Sequence, residues 1–163
     1  MKSFSIVPTS EGPRREFKIT WGWRAGYGPS GRVYDVEEAI RVGHRGMRER
    51  DARAEPFLSG IFTRGEVVYA GSEAESAHDR EPVAIFTGEV LPHYAADIDD
   101  RAVRILLNEL ASEIGRILEQ EEVHLAYRNR TWTLRARPQI IESTSDRVNM
   151  EFTTVLSYHI WWW

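Results

Sequence analysis

From Phe17 to Arg24 apolar and polar side chains alternate without a break. Phe17, Ile19, Trp21 and Trp23 fall on one side, and Lys18, Thr20, Gly22 and Arg24 on the other. A period of two marks a strand with one face in the core. From Val36 the period changes: Val36, Ala39, Ile40, Gly43 and Met47 recur at helical spacing, and Arg41, Arg45 and Arg48 line another face. Asp35 stands where an N-cap belongs, with Glu38 three positions on, so the pattern predicts a capped helix that Pro56 ends. A second, stronger apolar stripe runs through Val103, Leu106, Leu107, Leu110, Ile114, Ile117 and Leu118. It predicts a helix over about 100–120. Asp97, Asp99 and Asp100 suit the positive end of its dipole.

The remaining apolar segments read as strands. Residues 57–63 and 66–70 flank Arg64-Gly65 and predict a hairpin with a tight turn there. Pro82 opens a strand from Val83 to Val90. Residues 123–127 and 131–135 alternate on either side of Asn129-Arg130, a second predicted hairpin, and residues 152–160 alternate once more. Two helices among paired strands predict an α+β fold: a mostly antiparallel sheet with both helices on one face, connected as a split β-α-β of ferredoxin-like type. The expected organisation is a single domain over 1–163. Residues 1–14, with Pro8 and Pro13, form a loose arm or short edge strand, and 138–163 form an extension with a terminal strand. That extension ends in Trp161-Trp162-Trp163. Either it docks on the sheet or on a partner chain, or it is a cloning or read-through feature without a selected role.

Composition narrows the classes. The chain has 163 residues, 42% hydrophobic and 28% charged, enough for one core without staples. It has no cysteine, which removes disulfides, thiolate zinc sites, iron–sulfur clusters and thiol catalysis. No apolar run reaches the roughly 18 residues a bilayer span needs, and the first residues do not make a signal peptide. The expectation is a cytoplasmic protein with no membrane partner.

The net charge is −4, which disfavours nucleic acid as a partner. Charge is nonetheless segregated. Between 66 and 100 the acids run from Glu66 to Asp100 against the single base Arg80, whereas 128–137 carries Arg128, Arg130, Arg135 and Arg137 and no acid. Such segregation marks either two solvated faces or two surfaces that pair across an oligomer. The four arginines around Trp132 are the nucleic-acid candidates, since phosphates need cations and bases need rings.

Other chemistry is sparse. Gly26, Gly28 and Gly31 satisfy G-x-G-x-x-G between a strand and a helix. In a dinucleotide site the helix begins inside the glycines and meets the pyrophosphate. Here the cap is the anion Asp35, four residues after the last glycine, so the motif reads as a βα loop. His44, His78, His93, His124 and His159 show no metal-ligand spacing, so no metal and no cofactor is expected. Glu89 and His93 flank Pro92 at a strand end and, with His44, are the candidates for acid–base catalysis. Trp21, Trp23, Tyr27 and Tyr34 either line a pocket for a small ligand or form the core.

The segments TWGWRAGYGPSGRVYDVEEA (20–39) and VHLAYRNRTWTLR (123–135), with the amphipathic helix between them, resemble the layout of small uncharacterised α+β proteins of bacteria, phages and mobile DNA. The resemblance spans residues 15–137 in outline. It implies a fold and an accessory role on a mobile element, and it carries over no catalytic residue. The resulting expectation is an oligomeric interaction or small-ligand-binding module whose first partner is a second copy of itself, with a small enzyme using Glu89 and His93 as the alternative.

Overall fold

The computed structural model describes residues 2–26, 31–68, 80–92 and 98–137. The elements are β1 (Glu16–Gly22), α1 (Val36–Ala52), β2 (Ile61–Val68), β3 (Arg80–Glu89), α2 (Asp100–Ile117), β4 (Glu122–Tyr127) and β5 (Arg130–Arg135). The five strands form one antiparallel sheet in the order β2-β3-β1-β4-β5. β3 therefore lies between β1 and β2, the strands that α1 connects. β1 likewise lies between β3 and β4, the strands that α2 connects. This interleaving is the split β-α-β connectivity, with β5 added as the outer strand of a hairpin.

Register explains why the alternation is so regular. Phe62, Phe86, Ile19, Leu125 and Trp132 form one row across all five strands. Phe17, Trp21, Ala84, Val123 and Tyr127 complete the same buried face. Both helices cover it. The close approach of α1 relies on Gly43, where an added Cβ would lie 3.1 Å from the Phe62 ring. α2 uses Gly115, where it would lie 2.8 Å from Val123 Cγ2. The Trp21 indole is fully buried, and its N–H donates to the Ala111 carbonyl of α2 at 3.1 Å. Each helix is capped as its sequence requires: Asp35 Oδ1 accepts from the Glu37 amide, and Asp99 Oδ1 from the Ala102 amide. Glu38 pairs with Arg32.

One expectation fails. Arg64-Gly65 is not a turn. β2 runs straight through it, paired with β3 from Ile61↔Thr87 to Val68↔Arg80. Gly65 is a packing glycine: a Cβ there would lie 2.9 Å from Ile85 Cδ1 and 3.3 Å from Val83 Cγ2. The neighbouring strand occupies the space that a side chain would need. Residues 2–14 contain no strand. The expected strand at 152–160 and the Trp161–Trp163 tail lie outside the described residues. Among the described residues no helix is long and apolar enough to cross a membrane.

Candidate functional site

The second face of the sheet carries Thr63, Ile85, Thr20, His124 and Thr133 in one row. Among the described residues no helix packs on it, because both helices are committed to the opposite side. At one end of this face, β1 ends while β3 and β4 begin. There Thr20, Gly22, Val67, Glu81, Gln120, Glu121, Glu122 and His124 surround a cleft of about 120 Å³. It shares Thr20, Val67 and His124 with a shallower trough of about 540 Å³ that runs on across β4 and β5.

Gly22 is the centre of this cleft. A Cβ there would meet Glu81 Oε1 and would lie 2.6 Å from Gln120 Oε1. Two side-chain oxygens from distant parts of the chain thus converge over a bare Cα. Gln120 is held in place, since its Nε2 donates to the carbonyls of Arg24 (2.9 Å) and Leu118 (2.8 Å). Its amide oxygen is left facing the cleft. Glu122 is bound by Arg135, and His124 Nδ1 lies 3.0 Å from Thr133 Oγ1. Among the described residues no lysine or arginine lines the cleft, so its described lining is a set of acceptors with negative charge. Among the described residues no group of His, Asp and Glu is arranged to hold a metal ion.

The sequence-derived candidates that the structure describes do not line this cleft. Trp21 is core. Trp23 is half-buried with Arg64 over its ring at 5.5 Å. Tyr34 is buried, with the Arg32 guanidinium 4.5 Å from its ring centroid. Burial pushes the Tyr34 phenol above its ordinary value, and its hydrogen bond to Glu119 adds to the rise. Glu89 is exposed at the end of β3 opposite Glu16, and His44 is exposed on α1 among Arg41, Arg45 and Arg48. The groove that His44 lines does not include Glu89 among the described residues. Tyr27 and His93 lie outside the described residues. Arg128 and Arg130 flank the β4–β5 turn, Arg135 pairs with Glu122, and Arg137 is exposed beyond β5. Glu81 and Gln120 were missed. The available signal was Gly22, a glycine inside an otherwise regular strand, which often marks a close approach.

A second polar centre ties α2 to the sheet. Tyr127 Oη donates to Asp100 Oδ1 at 2.7 Å and accepts from Arg15 Nε at 2.9 Å, and Arg128 Nη1 lies 2.7 Å from Asp100 Oδ2. The Tyr127 hydrogen bond, then Arg128 and Arg15, hold the Asp100 carboxyl below its ordinary range against an opposing effect of burial. A depressed carboxyl contributes stability above its unfolded pKa of about 3.9 and loses it as pH falls through the folded value. Tyr127→Phe removes the first of these causes. The variant is expected to lose about 1 kcal/mol near pH 7, and its acid unfolding is expected to begin at higher pH. Urea denaturation followed from acid to neutral pH measures both.

No family model matches the sequence, and no curated protein matches it. Two solved structures share the fold. A phage SAM lyase in complex with S-methyl-5'-thioadenosine aligns at TM-score 0.57 and 16% identity, over 81% of this chain and 97% of that one. A phage SAM lyase in the apo state aligns at TM-score 0.59 and 15% identity, over 82% and 97%.

Proposed function

We propose that this chain is a small-ligand-binding module that takes a cationic sulfonium nucleoside of the SAM type in the cleft around Gly22. The observation that carries the reading is the convergence of Glu81 Oε1 and Gln120 Oε1 over Gly22 in a cleft that no described lysine or arginine lines. A carboxylate in a partly desolvated cleft favours a cation over a neutral analogue of the same shape. Acceptor oxygens also suit the hydroxyl and amino donors of a nucleoside. The adjoining trough, which Lys18 lines at its far side from the Glu81 carboxylate's cleft, supplies room for the nucleoside, so the cationic centre belongs in the cleft itself. The phage proteins of the same fold are SAM lyases, one of them holding a thioether nucleoside, and this supports the ligand class.

An open trough does not bury a ligand as binding sites normally do. Self-association across this sheet face, on which no described helix packs, would enclose it. That face offers Val67, Ile85 and five threonines, interspersed with charges of both signs such as Lys18, Glu81, Glu122 and Arg135 that a second copy could pair. The expected oligomer follows from this need for a cover.

Titration calorimetry with SAM and with S-adenosylhomocysteine, which lacks only the sulfonium methyl and its charge, tests the reading. SAM is expected to bind about tenfold more tightly, a difference of about 1.4 kcal/mol. Equal affinity for the two ligands, or heat from neither, rejects it. Mass spectrometry of the recovered ligand separates two forms of the proposal. A binding module returns SAM intact, and a changed ligand replaces that form with an enzymatic one.

A further inference from the structure

At three- and four-residue spacing, α2 turns Arg101, Arg104 and Asn108 to one side, and the β4–β5 turn brings Arg128 and Arg130 opposite them. Together they line a groove of about 560 Å³, within the range of small-molecule sites. Among the described residues its one carboxylate, Asp100, is already engaged by Tyr127, Arg15 and Arg128. Arg101, Arg104 and Arg130 form no ion pair among the described residues. Three guanidinium groups from two elements therefore face one groove in a chain of net charge −4. Gathering like charges is unfavourable unless an anion joins them.

Trp132 organises the groove. The Arg104 guanidinium lies 4.9 Å from its ring centroid, and its indole N–H donates to Asn108 Oδ1 at 2.8 Å. The Asn108 amide nitrogen is left as a donor beside the arginines. Guanidinium forks match the spacing of phosphate oxygens and bind them bidentately.

We propose that this groove binds a compact oligophosphate, the di- or triphosphate group of a small molecule, through Arg101, Arg104 and Arg130 with Asn108 as a neutral donor. A nucleic-acid strand fits less well. A strand-binding surface needs an extended cationic track and free aromatic faces. Here Trp132 is packed against the core and covered by Arg104. The groove shares no lining residue with the acidic cleft around Gly22, so the two proposals stand or fall separately.

The test is calorimetry of the full chain with inorganic tripolyphosphate at about 50 mM salt, where phosphate contacts are weakly screened. The R101Q/R130Q double variant is expected to bind at least tenfold more weakly with an unchanged denaturation midpoint, since both side chains are exposed. A control pair on the outer face of α1, R41Q/R48Q, is expected to bind as the parent does. No binding by the parent chain overturns the proposal. An equal loss in the control pair reduces it to general charge and also overturns it. Tighter binding of a single-stranded oligonucleotide than of tripolyphosphate replaces it with a polymer site.

Discussion

Trp21→Ala is expected to cost 3–5 kcal/mol, roughly the range for removing a large buried aromatic. That is a large part of the about 5–15 kcal/mol that keeps a domain folded. The ring is fully buried near the end of β1, the central strand of the sheet. It stacks on Phe62 at a centroid distance of 6.2 Å, lies against Gly115 of α2 and donates to the Ala111 carbonyl. A void there sits between the sheet and the helix layer, where Gly43 and Gly115 already bring the backbones close. Collapse to fill it would need both layers to move. Urea denaturation followed by circular dichroism is expected to show an early transition or none. Trp21→Phe, which keeps most of the volume and loses the N–H, is expected to fall between the two. An unchanged midpoint for Trp21→Ala would mean that the sheet and helices do not pack through this residue.

Gly22→Ala is the sharpest functional test. An added methyl group takes the position where Glu81 Oε1 and Gln120 Oε1 converge. The Glu81 carboxylate ends a flexible side chain and can swing aside, whereas Gln120 is tied by its Nε2 and must strain its bonds to Arg24 and Leu118; β1 is extended there with no positive φ to forbid alanine. Stability is expected to fall by about 1–2 kcal/mol, the cost of one or two disturbed hydrogen bonds, with the protein still folded. Binding of SAM is expected to fall tenfold or more, because the oxygens lose their common focus. Calorimetry on the folded variant reads this directly. Undiminished binding by a stable Gly22→Ala protein would move the site elsewhere. Glu81→Gln offers an independent check: it keeps the shape and removes the charge, and it is expected to reduce the preference for SAM over its uncharged analogue.

Much of the fold was legible in the residues. Phe17, Ile19 and Trp21 announced β1, the Val103 to Leu118 stripe announced α2, and Asp35 and Asp99 stand at the helix caps. The error at Arg64-Gly65 has a definite cause. Glycine is read locally as a turn, but here its missing side chain accommodates Val83 and Ile85 of the paired strand, a reason that lies some twenty residues away. The site was less legible. Tyr34 and Trp21 attract attention as aromatic residues, yet their positions on the period-two and capping patterns already place them in the core.

Periodicity is a property of neighbours, so the chain alone specifies which segments are helix or strand and which side of each is apolar. The strand order β2-β3-β1-β4-β5 is a different kind of fact. It depends on which apolar faces meet, and many orders satisfy the same alternation. Only that order brings Glu81 at the start of β3 and Gln120 after α2 over the end of β1, and only the packing of the β4–β5 turn beside α2 turns four arginines toward one groove. Both are convergences of side chains remote in sequence, and they exist only once the sheet and helices have closed on a common core.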